Sequence, residues 1–312
     1  MTSAIFPNSQ HIHSDLDHFW LSFKTYLQHT NRQEALEKWT EEEFESNVVK
    51  VLSEKFGDKL DDQPIRVLGV GSSEGYQESL QLKKIKTKFP QISATVIDPS
   101  TERISEYQER VHQNCSDFTG IEYEWHNQTF QEFVTSMEAG QKYHFITIVH
   151  AIYYAGEVEE AVRKLYELLE PGGMIFMVLF TSEYFPRKLA KTFPHLALEE
   201  QNPKTGELPK RNHLLHSGDI ISVLKKYQMA YTQSSYTESA DLTTCFTQED
   251  TTEAKLLIDF VTVTIKFKES VSHEIYNQVM EILKCSTRVT TNNKGHDKVY
   301  LDNVCDILFI SK

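Results

Sequence analysis

Apolar segments of strand length alternate with helical segments between residues 65 and 180, and this alternation constrains the fold more than any other feature of the chain. The strand-like segments include one at 145–149 that is almost wholly apolar, which is typical of a central parallel strand with both faces covered. They occupy residues 65–70, 94–97, 121–125, 145–149 and 174–180, and the intervening helices reach about residue 88 and span 102–111 and 158–169. We therefore predict an α/β fold whose parallel strands are joined by right-handed crossovers.

Helical patterns also flank this region. Apolar residues recur at helical spacing from Leu16 to Leu27 and from Phe44 to Leu52, which predicts two amphipathic helices before the sheet. Beyond the sheet, the patterns predict a surface loop at 199–211, helices at 219–227, 256–260 and 275–283, a strand at 230–236 and a final strand ending at 310. Because we find no repeat or flexible linker, we expect one domain over residues 1–312, with an N-terminal helical cover at 12–55, a core at 64–180 and insertions at 181–312.

The charge of the 312-residue chain restricts its partners. It carries 45 acidic and 32 basic residues, a formal net charge of −13, and such a body is repelled by phosphate backbones and anionic membranes. The first ten residues lack the pattern of a signal peptide, and no stretch approaches the roughly 18 apolar residues of a membrane span. We expect a cytosolic protein that has neither nucleic-acid nor membrane partners. The four cysteines are far apart, so we predict reduced thiols and no metal site.

A glycine turn follows the first predicted strand. The segment Gly71-Ser72-Ser73-Glu74-Gly75 leads from that strand into a helix. Small residues let a ligand approach the backbone, and the helix N-terminus offers N–H donors. Glu74 stands where the dinucleotide pattern G-x-G-x-x-G needs its last glycine, which disfavours hydride transfer. The turn suits a nucleoside, and its alternative role is a tight connection without a ligand.

An acidic residue follows the second predicted strand. Asp98 begins the segment Asp98-Pro99-Ser100, at the carboxyl end of that strand. A carboxylate at this position can accept both hydrogen bonds of a ribose diol, as in doubly wound nucleoside-binding folds. By itself the same segment is equally typical of a helix cap. The combination with the glycine turn favours nucleoside binding.

These features together resemble class I S-adenosylmethionine-dependent methyltransferases. The resemblance rests on the glycine turn, Asp98, the strand ending at Val149, the segment Pro171-Gly172-Gly173 and the late hairpin. A closer similarity, covering nearly the whole chain, is to the histamine N-methyltransferase family, carried by Trp125-His126, Tyr153-Tyr154, Asp259-Phe260 and the segment from Lys298 to Asn303. The resemblance implies a Rossmann-like, mostly parallel sheet of seven strands with the last antiparallel, S-adenosylmethionine as cofactor, and a monomer.

The resemblance also assigns residues to the cofactor. It implies that Gly71 approaches the cofactor and that Asp98 holds its ribose. Arg103 stands where the family has a glutamine near the ribose or adenine, and Val149 places a backbone group near the adenosine or methionine portion. The family's serine near adenine aligns with Phe130, so the adjacent Thr129 becomes the polar candidate. The alternative roles are a solvated helix residue for Arg103 and a core residue for Phe130.

On the acceptor side, the resemblance implies a pocket containing Phe23, Arg32, His150, Tyr154, Phe260 and Asn303. Arg32 stands where the histamine-specific members have a carboxylate for the alkylammonium group, with Glu34 as an alternative carboxylate nearby. His150 replaces a glutamine, whereas Tyr154 and Asn303 are kept. Because a cation opposes an ammonium group, Arg32 predicts that histamine is a poor substrate and that the preferred acceptor is anionic.

The predicted activity is methyl transfer to a nitrogen of a small imidazole or amine, such as histamine or a histidine-like compound. An in-line displacement mainly requires alignment and exclusion of water, so His150 and Tyr154 are the candidate catalytic residues that orient the nucleophile or receive its proton. Two alternatives remain at this point: a small-molecule O-methyltransferase, and a non-catalytic binding protein that keeps the fold.

Overall fold

A computed structural model describes residues 9–57, 59–60, 63–193, 214–291, 295 and 297–312. The predicted loop at 199–211 lies outside the described residues. The chain divides into two compact units. We call Leu36–Leu179, His216–Tyr236 and Cys305–Lys312 the sheet unit, and Met1–Ala35, Phe180–Leu215 and Thr237–Val304 the helical unit.

The strands form a mixed, mostly parallel sheet. They are β1 Ile65–Val70, β2 Ile92–Ile97, β3 Ile121–His126, β4 Tyr143–Val149, β5 Leu169–Phe180, β6 Ala230–Asp241, β7 Thr287–Thr291 and β8 Asp297–Ser311. The order is β3-β2-β1-β4-β5-β8-β6, and β7 pairs with β8. The first five strands are mutually parallel. The strand order reverses at β1, so ligand-binding groups are expected at the carboxyl ends of β1 and β4.

The last strand runs against its neighbour. Within the sheet unit, the N–H of Gly172 in β5 donates to the carbonyl of Lys312, and the N–H of Lys312 donates to the carbonyl of Gly173. Within the helical unit, the N–H of Thr181, directly after β5, donates to the carbonyl of Val304 in β8. Residue numbers rise along β5 as they fall along β8, so the pair is antiparallel. The predicted class I methyltransferase fold is confirmed, with β7 as an additional short strand.

The helices with described bounds are α1 Leu16–His29, α2 Arg32–Phe44, α3 Lys50–Phe56, α4 Tyr76–Lys86, α5 Thr101–Gln113, α6 Phe130–Ser136, α7 Val158–Glu167, α8 Phe185–Thr192, α9 Ser217–Lys226, α10 Thr243–Thr247, α11 Thr252–Thr262, α12 Phe267–Ser270 and α13 His273–Cys285. A π-helical segment, Glu45–Val49, joins α2 to α3, and a 3-10 turn, Ile152–Tyr154, follows β4. Among the described residues, no helix is both long and apolar enough to span a membrane.

An aromatic cluster fills the core of the sheet unit. Phe44 packs edge-on against Phe145 of β4 and Phe176 of β5, with ring centroids 5.9 and 5.7 Å apart. Trp39 lies 5.7 Å from the Phe176 ring, and its indole N–H donates to the Ser234 hydroxyl at 3.1 Å. All four aromatic side chains are buried. Buried aromatic pairs of this kind hold the α2 side chains against the strands.

Two sequence-based boundaries were wrong. The predicted helix from Phe44 to Leu52 is part of a longer helical stretch that begins with α2, because α2 buries Leu36 and Trp39 from a segment that is otherwise rich in charged residues. Strand β5 begins at Leu169, earlier than expected, and includes Pro171-Gly172-Gly173. The strand starts early because residues 172–173 form hydrogen bonds with Lys312. These bonds cannot be predicted from the sequence of β5 alone.

Candidate cofactor site and acceptor cluster

The glycine turn after β1 has a backbone that only small residues adopt readily. Gly71 has φ +65°, and a Cβ built on it would lie 2.5 Å from the Cβ of Ala151. The N–H of Gly71 donates to the carbonyl of Ile97 at 2.8 Å. Both the left-handed conformation and the close approach require glycine at position 71. The turn is thereby held between the end of β2 and the residues that follow β4.

Asp98 connects the ends of β1 and β2. Its two carboxylate oxygens accept the N–H groups of Ser73 and Ser100, each at 2.9 Å. The side chain is buried, and burial raises the pKa of Asp98 while the bonds from Ser100 and Ser73 oppose this rise. Ser100 caps α5, since its hydroxyl accepts the N–H of Arg103. A carboxylate has about four acceptor positions, so the two N–H bonds leave capacity for hydroxyl groups.

The residues after β4 are also conformationally unusual. Val149 ends the strand in register with Val178 of β5, and the N–H of His150 donates to the Val178 carbonyl at 2.9 Å. His150 has φ +49°, a strained conformation for a residue with a side chain. Its Nε2 lies 3.4 Å from the Tyr236 hydroxyl. Tyr154, in the following 3-10 turn, is 44% exposed and can be reached by a ligand.

Two further cofactor candidates have local partners. The guanidinium of Arg103 pairs with Glu106 one turn along α5, at 2.6 Å. Thr129 caps α6 in a capping box with Glu132, and Phe130 beside it is buried. Asn127 contacts Asp98 directly, because its side-chain N–H donates to the backbone carbonyl of Asp98. Asn127 was not among the predicted site residues, although it follows β3 directly.

Glu78, beneath the glycine turn, was not predicted from the sequence either. Its side chain reaches from α4 over Gly69 of β1, where an added Cβ would lie 1.8 Å from Oε2. The Ser72 hydroxyl donates to this oxygen at 2.5 Å, and the Tyr107 hydroxyl donates to Oε1 at 3.3 Å. Burial raises the pKa of Glu78 to about 7. A glycine inside a buried strand was the available signal, since it indicates a close neighbour.

In the helical unit, three of the predicted acceptor residues meet around Tyr26. The Tyr26 ring lies 4.5 Å from that of Phe260, which in turn lies 5.5 Å from Phe23. The side-chain N–H of Asn303 donates to the Tyr26 hydroxyl at 3.3 Å. We call Phe23, Tyr26, Arg32, Glu238, Phe260 and Asn303 the acceptor cluster.

Arg32 joins this cluster through the carboxylate of Glu238, which was not among the predicted site residues. Its Nε lies 3.6 Å from Oε2 of Glu238, and the Tyr26 hydroxyl donates to Oε1 of the same residue at 3.3 Å. Glu238 is fully buried, whereas the alternative Glu34 is exposed. Glu238 and Ala240 are both buried on the same side of β6, beyond the end of the predicted strand at 236, so the sequence pattern did not identify Glu238 as an inward-facing acid.

Comparison with known proteins decides the family. A family model described as a methyltransferase domain matches residues 20–233, more than half of the chain. The chain belongs to this methyltransferase family. It is 26% identical to histamine N-methyltransferase B of Xenopus laevis over 304 residues, covering 95% of this chain and 96% of that protein. It is 24% identical to the Danio rerio histamine N-methyltransferase over 284 residues, covering 88% and 91%.

Solved structures were compared as well. The YcgJ protein of Bacillus subtilis has a TM-score of 0.47 and 12% identity, over 80% of this chain and 92% of that one.

The methyl donor of the present methyltransferase is S-adenosylmethionine. The residues at the end of β1 and β2 fit this group, because Gly71 keeps the backbone accessible and Asp98 supplies a buried carboxylate beside the turn.

Proposed function

We propose that this methyltransferase acts on a nitrogen of a small imidazole or amine. The observation that carries the proposal is the acceptor cluster, in which four of the six residues assigned by family resemblance are linked directly or through one another to Tyr26 and Glu238. The similarity to histamine N-methyltransferases over 95% of the chain supports the same acceptor class.

S-adenosylmethionine supplies an electrophilic methyl group on a sulfonium. We assign Gly71, Asp98 and Val149 to cofactor binding, with Arg103 and Thr129 at the edge of that site. An unprotonated imidazole or amine nitrogen is already nucleophilic, so strong base catalysis is not required. We assign His150 and Tyr154 to orienting that nitrogen, with the His150 imidazole receiving the proton that the methylated, positively charged product releases.

The acceptor cluster has a complementary task. The half-buried rings of Phe23 and Phe260 offer apolar faces that exclude water from a bound heteroaromatic ring, and the buried Tyr26 ring supports Phe260 from behind. Asn303, buried and hydrogen-bonded to Tyr26, is fixed in one orientation. A rigid amide beside aromatic rings suits recognition of a ring nitrogen, because it fixes orientation without a net charge.

A transfer assay with isotopically labelled cofactor tests the proposal. We expect labelled methyl groups on imidazoles or amines and none on catechol or carboxylate oxygens, with the product position read by NMR. Transfer to oxygen alone would establish an O-methyltransferase instead. Calorimetric binding of cofactor without transfer to any acceptor would indicate a non-catalytic binding protein.

Substitutions in the acceptor groups are expected to affect the acceptor and not the cofactor. We expect Tyr154→Phe and Asn303→Ala to lower kcat/KM for the acceptor about tenfold each, the usual size for one lost polar contact. Cofactor affinity, measured by calorimetry, is expected to change less than about twofold. Tyr227→Phe, at an exposed tyrosine of the sheet unit, is the matched control. Loss of cofactor binding in folded Tyr154→Phe and Asn303→Ala proteins would contradict the assignment.

A further inference from the structure

The burial of Glu238 is unusual for a charged residue. Its side chain has 0% exposure, on the inward-facing side of β6. A carboxylate removed from water is costly unless it is paired and hydrogen-bonded. Tyr26 donates a hydrogen bond to Oε1 and Arg32 approaches Oε2, so the two oxygens have different partners. An acceptor molecule cannot reach a carboxylate with no exposed surface, but Glu238 does contact a residue that can be reached.

Arg32 is that residue. It begins α2, where its backbone N–H donates to the Thr30 hydroxyl at 3.3 Å. Its side chain is 19% exposed, and the guanidinium carbon lies 5.6 Å from the centre of the Phe180 ring. Contact with an aromatic face and with a buried carboxylate fixes the plane of a guanidinium. A guanidinium presents its N–H donors in a planar fork whose geometry matches a carboxylate.

We propose that Arg32 is the receptor for a carboxylate on the methyl acceptor, and that Glu238 is the positioning residue that orients it. This inference rests on the proposed function and names its substrate class: an imidazole or amine that also carries a carboxylate. Of the Arg32–Glu238 pair, only the Arg32 guanidinium has exposed surface. A guanidinium repels the alkylammonium group of histamine. Glu238 acts on the acceptor only through Arg32.

The test compares two acceptors of equal length. Histamine and imidazole-4-propionate share the ring and a two-carbon chain, and they differ in an ammonium against a carboxylate. We expect the native protein to favour the propionate by at least about tenfold in kcat/KM. Arg32→Gln is expected to raise the KM for the propionate about 10- to 100-fold with little effect on histamine, and Arg32→Lys to restore part of the loss. Arg163→Gln, at an exposed pair with Glu167, is the control.

The positioning role of Glu238 has its own readout. We expect Glu238→Gln to raise the KM for the propionate at unchanged kcat, and the double variant Arg32→Gln/Glu238→Gln to be no worse than Arg32→Gln alone. Additive losses would show that Glu238 acts independently of Arg32 and would overturn its assignment. Because Arg32→Gln is tested separately, the receptor assignment stays open to disproof even if Glu238→Gln does not fold.

Failure of the inference differs from failure of the proposed function. Preference for histamine, unchanged in Arg32→Gln, would overturn the carboxylate receptor and leave the N-methyltransferase proposal intact. Absence of methyl transfer to any imidazole or amine would overturn the proposed function. In that case, calorimetry with bound S-adenosylhomocysteine still decides the receptor, because binding of imidazole-4-propionate that is lost in Arg32→Gln supports it and equal binding refutes it.

Discussion

We expect Asp98→Ala to weaken S-adenosylmethionine binding by about 2 kcal/mol, or about 30-fold. This is the usual loss when hydrogen bonds to a charged group are removed. The carboxylate of Asp98 accepts the N–H groups of Ser73 and Ser100 while facing the glycine turn. Its removal therefore affects the cofactor in two ways: it deletes the acceptor proposed for the ribose, and it releases the backbone of the turn. Isothermal calorimetry on the folded variant measures the change.

Two further variants separate these contributions. Asp98→Asn keeps one side-chain oxygen and is expected to lose less affinity than Asp98→Ala. Asp117→Ala removes an exposed carboxylate that pairs with Lys83, and we expect it to leave cofactor binding unchanged. Thermal unfolding of each variant shows whether the turn has lost stability. Native affinity in a folded Asp98→Ala protein would refute the role of this residue.

The parts of the fold that the sequence predicted are those with local signals. The runs around Val67 and Phe145 are apolar at successive positions because both faces of these central strands are buried. Gly71 and Asp98 were also identified locally, since a glycine turn and a strand-end acid can each be recognised within a few residues. The structure adds the Ser73 bond that joins them.

The parts that were missed depend on distant partners. Glu238 resembles any polar strand residue until Tyr26, 212 positions away, donates a hydrogen bond to it. Helix α2 has a weak apolar pattern, and the contacts of Trp39 with Phe176 and Phe309 reveal its buried face. Glu78 is separated from Gly69 by a turn and becomes noticeable only when both are placed in three dimensions. Long-range pairing of this kind leaves little trace in one sequence.

The second large effect concerns Glu78 and the pH dependence of stability. Burial raises the pKa of Glu78 from 4.5 to about 7 in the folded chain. The folded protein therefore holds this proton more tightly than the unfolded chain, and the contribution of Glu78 to stability falls as the pH rises from about 4.5 to about 7. At 1.36 kcal/mol for each pH unit, ionisation of Glu78 costs on the order of 3 kcal/mol above pH 7.

Glu78→Gln removes the ionisation and keeps the shape of the side chain. We expect its free energy of unfolding, relative to the native protein, to increase by about 3 kcal/mol between pH 4.5 and pH 8. Urea unfolding across this range measures the difference, which cancels the titration of all other groups. Glu122→Gln, at an exposed position on β3, is the matched control and is expected to stay within about 0.5 kcal/mol of the native protein. A pH-independent difference between Glu78→Gln and the native protein would show that Glu78 is ionised at little cost, and that the Ser72 and Tyr107 hydroxyls compensate its burial.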